Sequence, residues 1–149
     1  MTRGLSAATL LLGTSLTAQT PYMKWLSEDV VYIVNDAERE AFLRLAADEE
    51  RKHFIAQFWL RRDPDPATKV NEFKEEHYRR IAYCNERFGW KTDKGRVYIV
   101  LGPPDEIEQH TTIQSEVWRY RKLGVFLGFH GGIITADSLA RFGLIQPAR

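Results

Sequence analysis

The chain has 149 residues, 44% of them hydrophobic and 28% charged, which fits one globular domain and excludes disorder along its whole length. Lys and Arg total 21 against 20 Asp and Glu, a balance that excludes long-range attraction to nucleic acid or an anionic lipid surface. Cys84 is the only cysteine, so no disulfide forms within the chain.

The N-terminus has the layout of a secretory signal peptide. Arg3 supplies the positive charge, residues 5–16 are uncharged and include Leu10, Leu11 and Leu12, and Thr17, Ala18 and Gln19 end the run. Spanning a bilayer takes about 20 apolar residues, so this stretch is too short for a membrane helix. The expectation is a signal peptide over 1–18, cut after Ala18, and a single domain over 19–149 that is secreted or periplasmic. Its loss removes Arg3 and no acid, which leaves a formal charge of zero. No cysteine follows the apolar run to carry a lipid, and no integral membrane segment is expected in the remainder.

The run Val30, Val31, Tyr32, Ile33, Val34 is β-branched and aromatic and predicts a short strand or an extended entry segment. Asn35 and Glu38 have the spacing of a helix-capping pair. They open a helix over 36–47, with Phe42 and Leu43 on its apolar face. A second helix, 48–61, carries Phe54, Ile55, Phe58 and Trp59 at helical spacing and ends before Pro64 and Pro66. A third, 69–88, places Phe73, His77, Ile81, Cys84 and Phe88 on one face, and Gly89 stops it. Period-two segments then predict antiparallel strands at 96–101, 106–111, 116–121 and 125–129, with a turn at Gly102-Pro103-Pro104-Asp105. Helices followed by a meander predict an α+β fold with the helices packed on the sheet. Beyond Phe129 the sequence shows no firm period.

Gly89-Trp90-Lys91-Thr92-Asp93 spells the signature of the GWxTD family, and the chain resembles that family in flanking segments too. These are Phe58-Trp59-Leu60-Arg61-Arg62-Asp63-Pro64, Asn71-Glu72-Phe73, Tyr78-Arg79-Arg80-Ile81-Ala82-Tyr83, the stretch 94–107 and Glu116-Val117-Trp118-Arg119-Tyr120-Arg121. The resemblance implies an exported bacterial protein and implies no reaction. Two features depart from the family. Phe88 meets Gly89 with no intervening loop, and 126–134 fits poorly the Phe-rich closing strand, as in a truncated or divergent C-terminus. The strand, Gly-Pro turn and Trp-x-Tyr strand are also locally similar to small outer-membrane assembly lipoproteins, which hints at an interaction module.

The residues singled out for binding are Trp59, Arg61, Arg62, Asp63, Arg79, Arg80, Trp90 and Asp93. Two readings stand beside each other. In one, Trp90 packs into the core, Thr92 and Asp93 bond local backbone, and the arginines form internal pairs, for example Arg62 or Arg80 with Asp93. In the other, the arginines and tryptophans line a site for an anionic ligand or a partner. His53, His77, His110 and His130 lack metal-ligand spacing, no Gly-x-Ser-x-Gly elbow occurs, and Cys84 falls on a buried stripe, so no metal, cofactor or catalytic residue is assigned. The leading expectation is a non-enzymatic binding or envelope-assembly module with a protein or cell-envelope partner. The alternative is an enzyme with a cleft lined by Trp90, Asp93, Arg62 and Arg80.

Overall fold

Thr20 caps the first helix through its hydroxyl, which accepts the Met23 N–H, and Pro21 occupies the first turn where no N–H is needed. The computed structural model describes residues 20–146, so the expected signal peptide lies outside the described residues. Helix α1 (Pro21–Lys24) widens into a π-helical turn, Trp25–Asp29. Trp25, Leu26, Val30 and Val34 are all buried. Their spacing is helical, and the Val30 and Val34 N–H groups bond back to Trp25 O and Val30 O. The expected strand at 30–34 is therefore a helical turn and its exit. The β-branched run has no strand beside it, and a coiled path buries the same valines against α2 and α3.

Helix α2 (Asp36–Leu43) starts with the expected capping box, in which Asn35 Oδ1 accepts the Glu38 N–H at 2.8 Å and Glu38 returns to the Asn35 N–H at 3.2 Å. It stops before residue 47, and α3 (Asp48–Leu60) begins where the Glu50 carboxylate accepts the Ala46 and Ala47 N–H groups. Phe42, Phe58 and Trp59 meet Trp25 in an N-terminal core, with the Trp25 ring 5.3 Å from Phe42 and 5.1 Å from Phe58.

Helix α4 (Glu72–Arg87) is shared by two cores. Asn71 caps it through Lys74 N–H and also donates to Trp59 O, which fixes its start against α3. Its first half sets His77 and Tyr78 against Trp59. Its second half buries Cys84 and leads to Phe88, which packs on the second core.

The segment 96–101 is not a strand. It belongs to a helix, α5 (Asp93–Leu101), that starts three residues earlier on a Thr92 cap. This helix lies between α4 and the sheet, so Gly95, Val97 and Ile99 are all buried, and from Val97 to Leu101 no charged residue marks the helical period. An all-round apolar segment of this length reads equally well as a buried strand. The sheet still has four strands, in the order β1 (Glu106–His110), β2 (Ser115–Tyr120), β3 (Val125–His130) and β4 (Ile133–Ile134), all antiparallel. Two hairpins use the same connection, a 3-10 turn ending in a left-handed residue: Gln114 at φ 49° and Gly124 at φ 65°. The aperiodic tail supplies β4 and helix α6 (Ala136–Ile145). Val97, Trp118, Tyr120, Leu127, Phe129, Ile134 and Phe142 form the second core. Each large side chain there contributes about 2–3 kcal/mol by burial.

The turn that follows α4 and the first turn of α5 touch backbone to backbone. A Cβ on Gly95 would lie 2.2 Å from Gly89 O and 2.8 Å from Trp90 O. Gly89 itself sits at φ 84°, where an L side chain is strained. Gly95→Ala is expected to lose at least about 3 kcal/mol in urea unfolding, because two backbone segments must separate. Gly89→Ala is expected to lose about 1–2 kcal/mol, the cost of the left-handed conformation alone. Equal losses from the two variants would contradict the close approach.

Candidate functional site

The expected arginines lie in separate places and each has partners. Arg62 grips Glu38 with both terminal nitrogens, at 2.9 and 2.7 Å, and its guanidinium lies 3.6 Å from the centre of the Phe58 ring. It also donates to Phe58 O and Ile33 O at 3.2 Å, so it ties the exit of α1 to the end of α3. Arg61 adds a bond to Glu38 at 3.0 Å. Arg79 and Arg80 both pair with Glu76 one turn earlier on α4. Arg80 reaches on to Ile99 O at 3.2 Å and Val100 O at 3.4 Å, where it satisfies free carbonyls at the negative end of α5. Asp63 accepts the Asp65 N–H at 3.1 Å and closes the Asp-Pro turn. Trp59 is buried among Phe58, His77 and Tyr78.

The signature forms a joint. Thr92 Oγ1 accepts the Gly95 N–H at 3.0 Å and donates to Gly89 O at 2.8 Å, local bonding of the expected kind. Asp93 does not bond locally or pair with an arginine. Its Oδ2 accepts the Ile134 N–H at 2.9 Å and fastens α5 to β4. Trp90 is half-buried and lies outside both cores. Its carbonyl accepts the Tyr32 hydroxyl at 3.2 Å, the two rings meet edge to face at 6.1 Å, and Lys91 lies over its indole. Among the described residues, Trp90, Asp93, Arg62 and Arg80 lie in different surroundings. Asp93 borders a hollow with Lys91 and Gly132, and Arg80 borders a cavity of about 70 Å³ beside His77.

The cleft with the most mixed chemistry lies where the end of α4 and the side of α5 face β1 and β2, with a volume of about 360 Å³. Tyr83 and Tyr98 stack at 4.6 Å along one wall, and Arg87 lies over Tyr83. Pro103, Pro104 and the half-exposed Ile107 form the other wall. At its base Lys94 forms an ion pair with Glu116, whose other oxygen accepts the Trp118 indole N–H at 2.6 Å. A second hollow of about 430 Å³ adjoins it and shares Phe88 and Lys94. A third, of about 610 Å³, lies on the outside of α3 between Leu45, Phe54 and Arg61. Sequence reasoning missed the cleft. The available signals were Tyr83 and Arg87 one turn apart and Glu116 and Trp118 on one side of β2, but nothing local shows that these two pairs face each other.

Burial pushes the Cys84 thiol up to about 11, so it stays protonated at neutral pH. Burial likewise raises the Tyr120 hydroxyl, which donates to Gly102 O at 3.1 Å. His77, buried with Nε2 2.6 Å from Asp29 O, is pushed down by burial against the pull of that carbonyl. Among the described residues no group of three or more His, Cys, Asp or Glu stands ready to hold a metal, and no helix is long and apolar enough to cross a membrane.

Glu38 and His77 both give stability a pH dependence. Burial raises the Glu38 carboxyl, but hydrogen bonds from Arg62, the Asn35 N–H and Arg61 outweigh it and hold the group at about 2, against 4.5 when unpaired. Its contribution is complete above 4.5 and is lost as pH falls towards 2. His77 titrates below its ordinary 6.5 in the folded chain, so the unfolded chain binds its proton first and stability falls as pH drops below 6.5. Urea midpoints are expected to decline in both windows, and Arg62→Ala is expected to flatten the more acidic one. A midpoint constant between pH 7 and pH 3 would contradict both assignments.

The family model of the GWxTD domain matches residues 14–127, from the N-terminal segment into β3. No curated protein and no solved structure matches the chain. The match covers α1 to α5 and the β1–β2 hairpin and ends before β4 and α6. The chain therefore belongs to the GWxTD domain family.

Proposed function

We propose that this chain is an exported, non-enzymatic binding module that works in the periplasm or outside the cell. It docks a protein or cell-envelope partner at the cleft between α4, α5 and the β1–β2 hairpin. The observation that carries this reading is the composition of that cleft. It offers Tyr83 at 39% and Ile107 at 48% exposure, with Arg87 at the rim, above a base whose Lys94 and Glu116 neutralise each other. Aromatic and arginine side chains around a shaped hollow favour recognition. The nearby ionisable groups are already committed to structure. Asp93 fastens β4, Arg80 caps α5 and Cys84 keeps its proton. The N-terminal sequence supports export, because a charged start, a short apolar run and Ala18 have the order that signal peptidase reads.

Two measurements test this reading. Fractionation of the native cell followed by mass analysis is expected to find the chain outside the inner membrane and shortened to begin at Gln19. A full-length cytoplasmic chain would sink the export reading. Capture of envelope partners by the tagged protein is expected to fall at least about tenfold for Tyr83→Ala combined with Ile107→Ser, with an unchanged unfolding midpoint. Undiminished capture by that variant would move the binding surface elsewhere.

A further inference from the structure

The two flanks of the sheet are finished differently. On the β3 side, β4 pairs only with Phe129 and His130. Helix α6 takes over from there: Ser138 Oγ accepts the Gly128 N–H at 2.7 Å, and the Thr135 N–H donates to Gly128 O at 2.9 Å. On the other side, β1 pairs with β2 alone among the described residues. An end strand presents unpaired N–H and C=O groups along its outer side. β1 contains neither proline nor lysine, two residues that commonly blunt such an edge.

The side chains of β1 divide by face. Ile107 and Gln109 border the cleft, whereas Glu106 and Glu108 lie on the opposite face. There Glu108 pairs with Arg119 at 2.9 Å and meets His110 of its own strand at 2.9 Å, and Glu106 pairs with Arg121 at 3.2 Å. On this face the acids Glu106 and Glu108 come from β1, which ends in His110, and the arginines come from β2 and the turn after it. A further strand beside β1 continues this order only if it is basic on that face, since like charges directly opposite are destabilising. A second copy of β1 meets the condition in one register alone, about Gln109, where His110 faces Glu108. Antiparallel to itself about Glu108 it sets Glu108 against Glu108, and about Ile107 it sets Glu106 against Glu108.

The geometry points to β1 as the acceptor edge for an extended segment of a partner protein. That segment adds as a fifth strand, with apolar side chains alternating towards Ile107 and the cleft and lysine or arginine alternating beside Glu106 and Glu108. Main-chain bonds supply affinity in such strand addition, and alternate side chains supply selectivity. This rests on the cleft as the binding face and specifies the chemistry of what enters.

The test uses three synthetic peptides and the described domain in its exported form. One alternates Lys with Val and Phe, one replaces every Lys with Glu, and one is the basic peptide with N-methylated backbone on its pairing side. Fluorescence anisotropy is expected to show the basic peptide binding at least about tenfold more tightly than either control. Amide hydrogen exchange is expected to slow across 106–110 when it binds. Glu106→Gln with Glu108→Gln, the first exposed and the second half-buried, is expected to erase the preference for the basic peptide. Equal binding of the acidic and basic peptides, binding without slower exchange in β1, or no binding at all would each overturn the assignment. If the peptides fail while Tyr83→Ala with Ile107→Ser still loses its envelope partners, the edge is wrong and the cleft stands. If the peptides bind while that variant keeps its partners, the cleft reading fails by itself.

Discussion

The backbone of α5 at Gly95 lies directly against the backbone of the turn that leaves α4, at Gly89 and Trp90, with no side chain between them. The rest of the C-terminal half is placed by that contact. With its first turn pressed onto α4, the helix presents Gly95 O to the Cys84 thiol and its final carbonyls to Arg80. Held at both ends, α5 then offers Val97 to the sheet and Ile99 to α4's side of the molecule. The hairpin of β1 and β2 docks through Trp118 and Tyr120, and the cleft is the space left where α4 stops short of β1.

Seen this way, each residue of the family signature has a mechanical task. Gly89 turns the chain at a positive φ, Trp90 links the junction to Tyr32 in the N-terminal half, Thr92 caps the next helix, and Asp93 reaches across to β4. None of these tasks requires an ionisable group with unusual reactivity. They do require small size, a hydroxyl and a carboxylate at fixed positions, which is sufficient reason for such a pattern to mark a family.

Much of this was legible in the sequence because it is local. The Asn35–Glu38 box, the long helix with His77 and Cys84 inward, and the strands around Trp118 and Leu127 are set by neighbours within a few residues. Helix α5 was not legible, because contact on two sides erased its polar stripe. The valines at 30–34 misled because β-branched residues suit a strand, yet they complete a core with Trp25 and Phe58. At the candidate site, the arginines were read correctly as good pairing groups, but their partners were not. Glu38 lies 24 residues before Arg62, and the Asp93 tie to Ile134 spans 41 residues. The cleft is harder still, since its walls come from α4, α5 and the hairpin, and only folding brings them together.

The Ser138 hydroxyl and the Thr135 amide on Gly128 also bear on stoichiometry. A flat ribbon with two bare sides recruits copies of its guest without limit and grows into fibre. Here one side is covered from within by β4, Thr135 and Ser138. If β1 takes a guest strand, as proposed, the sheet gains one extended chain there and offers no second bare strand on the β4 side, where α6 closes it.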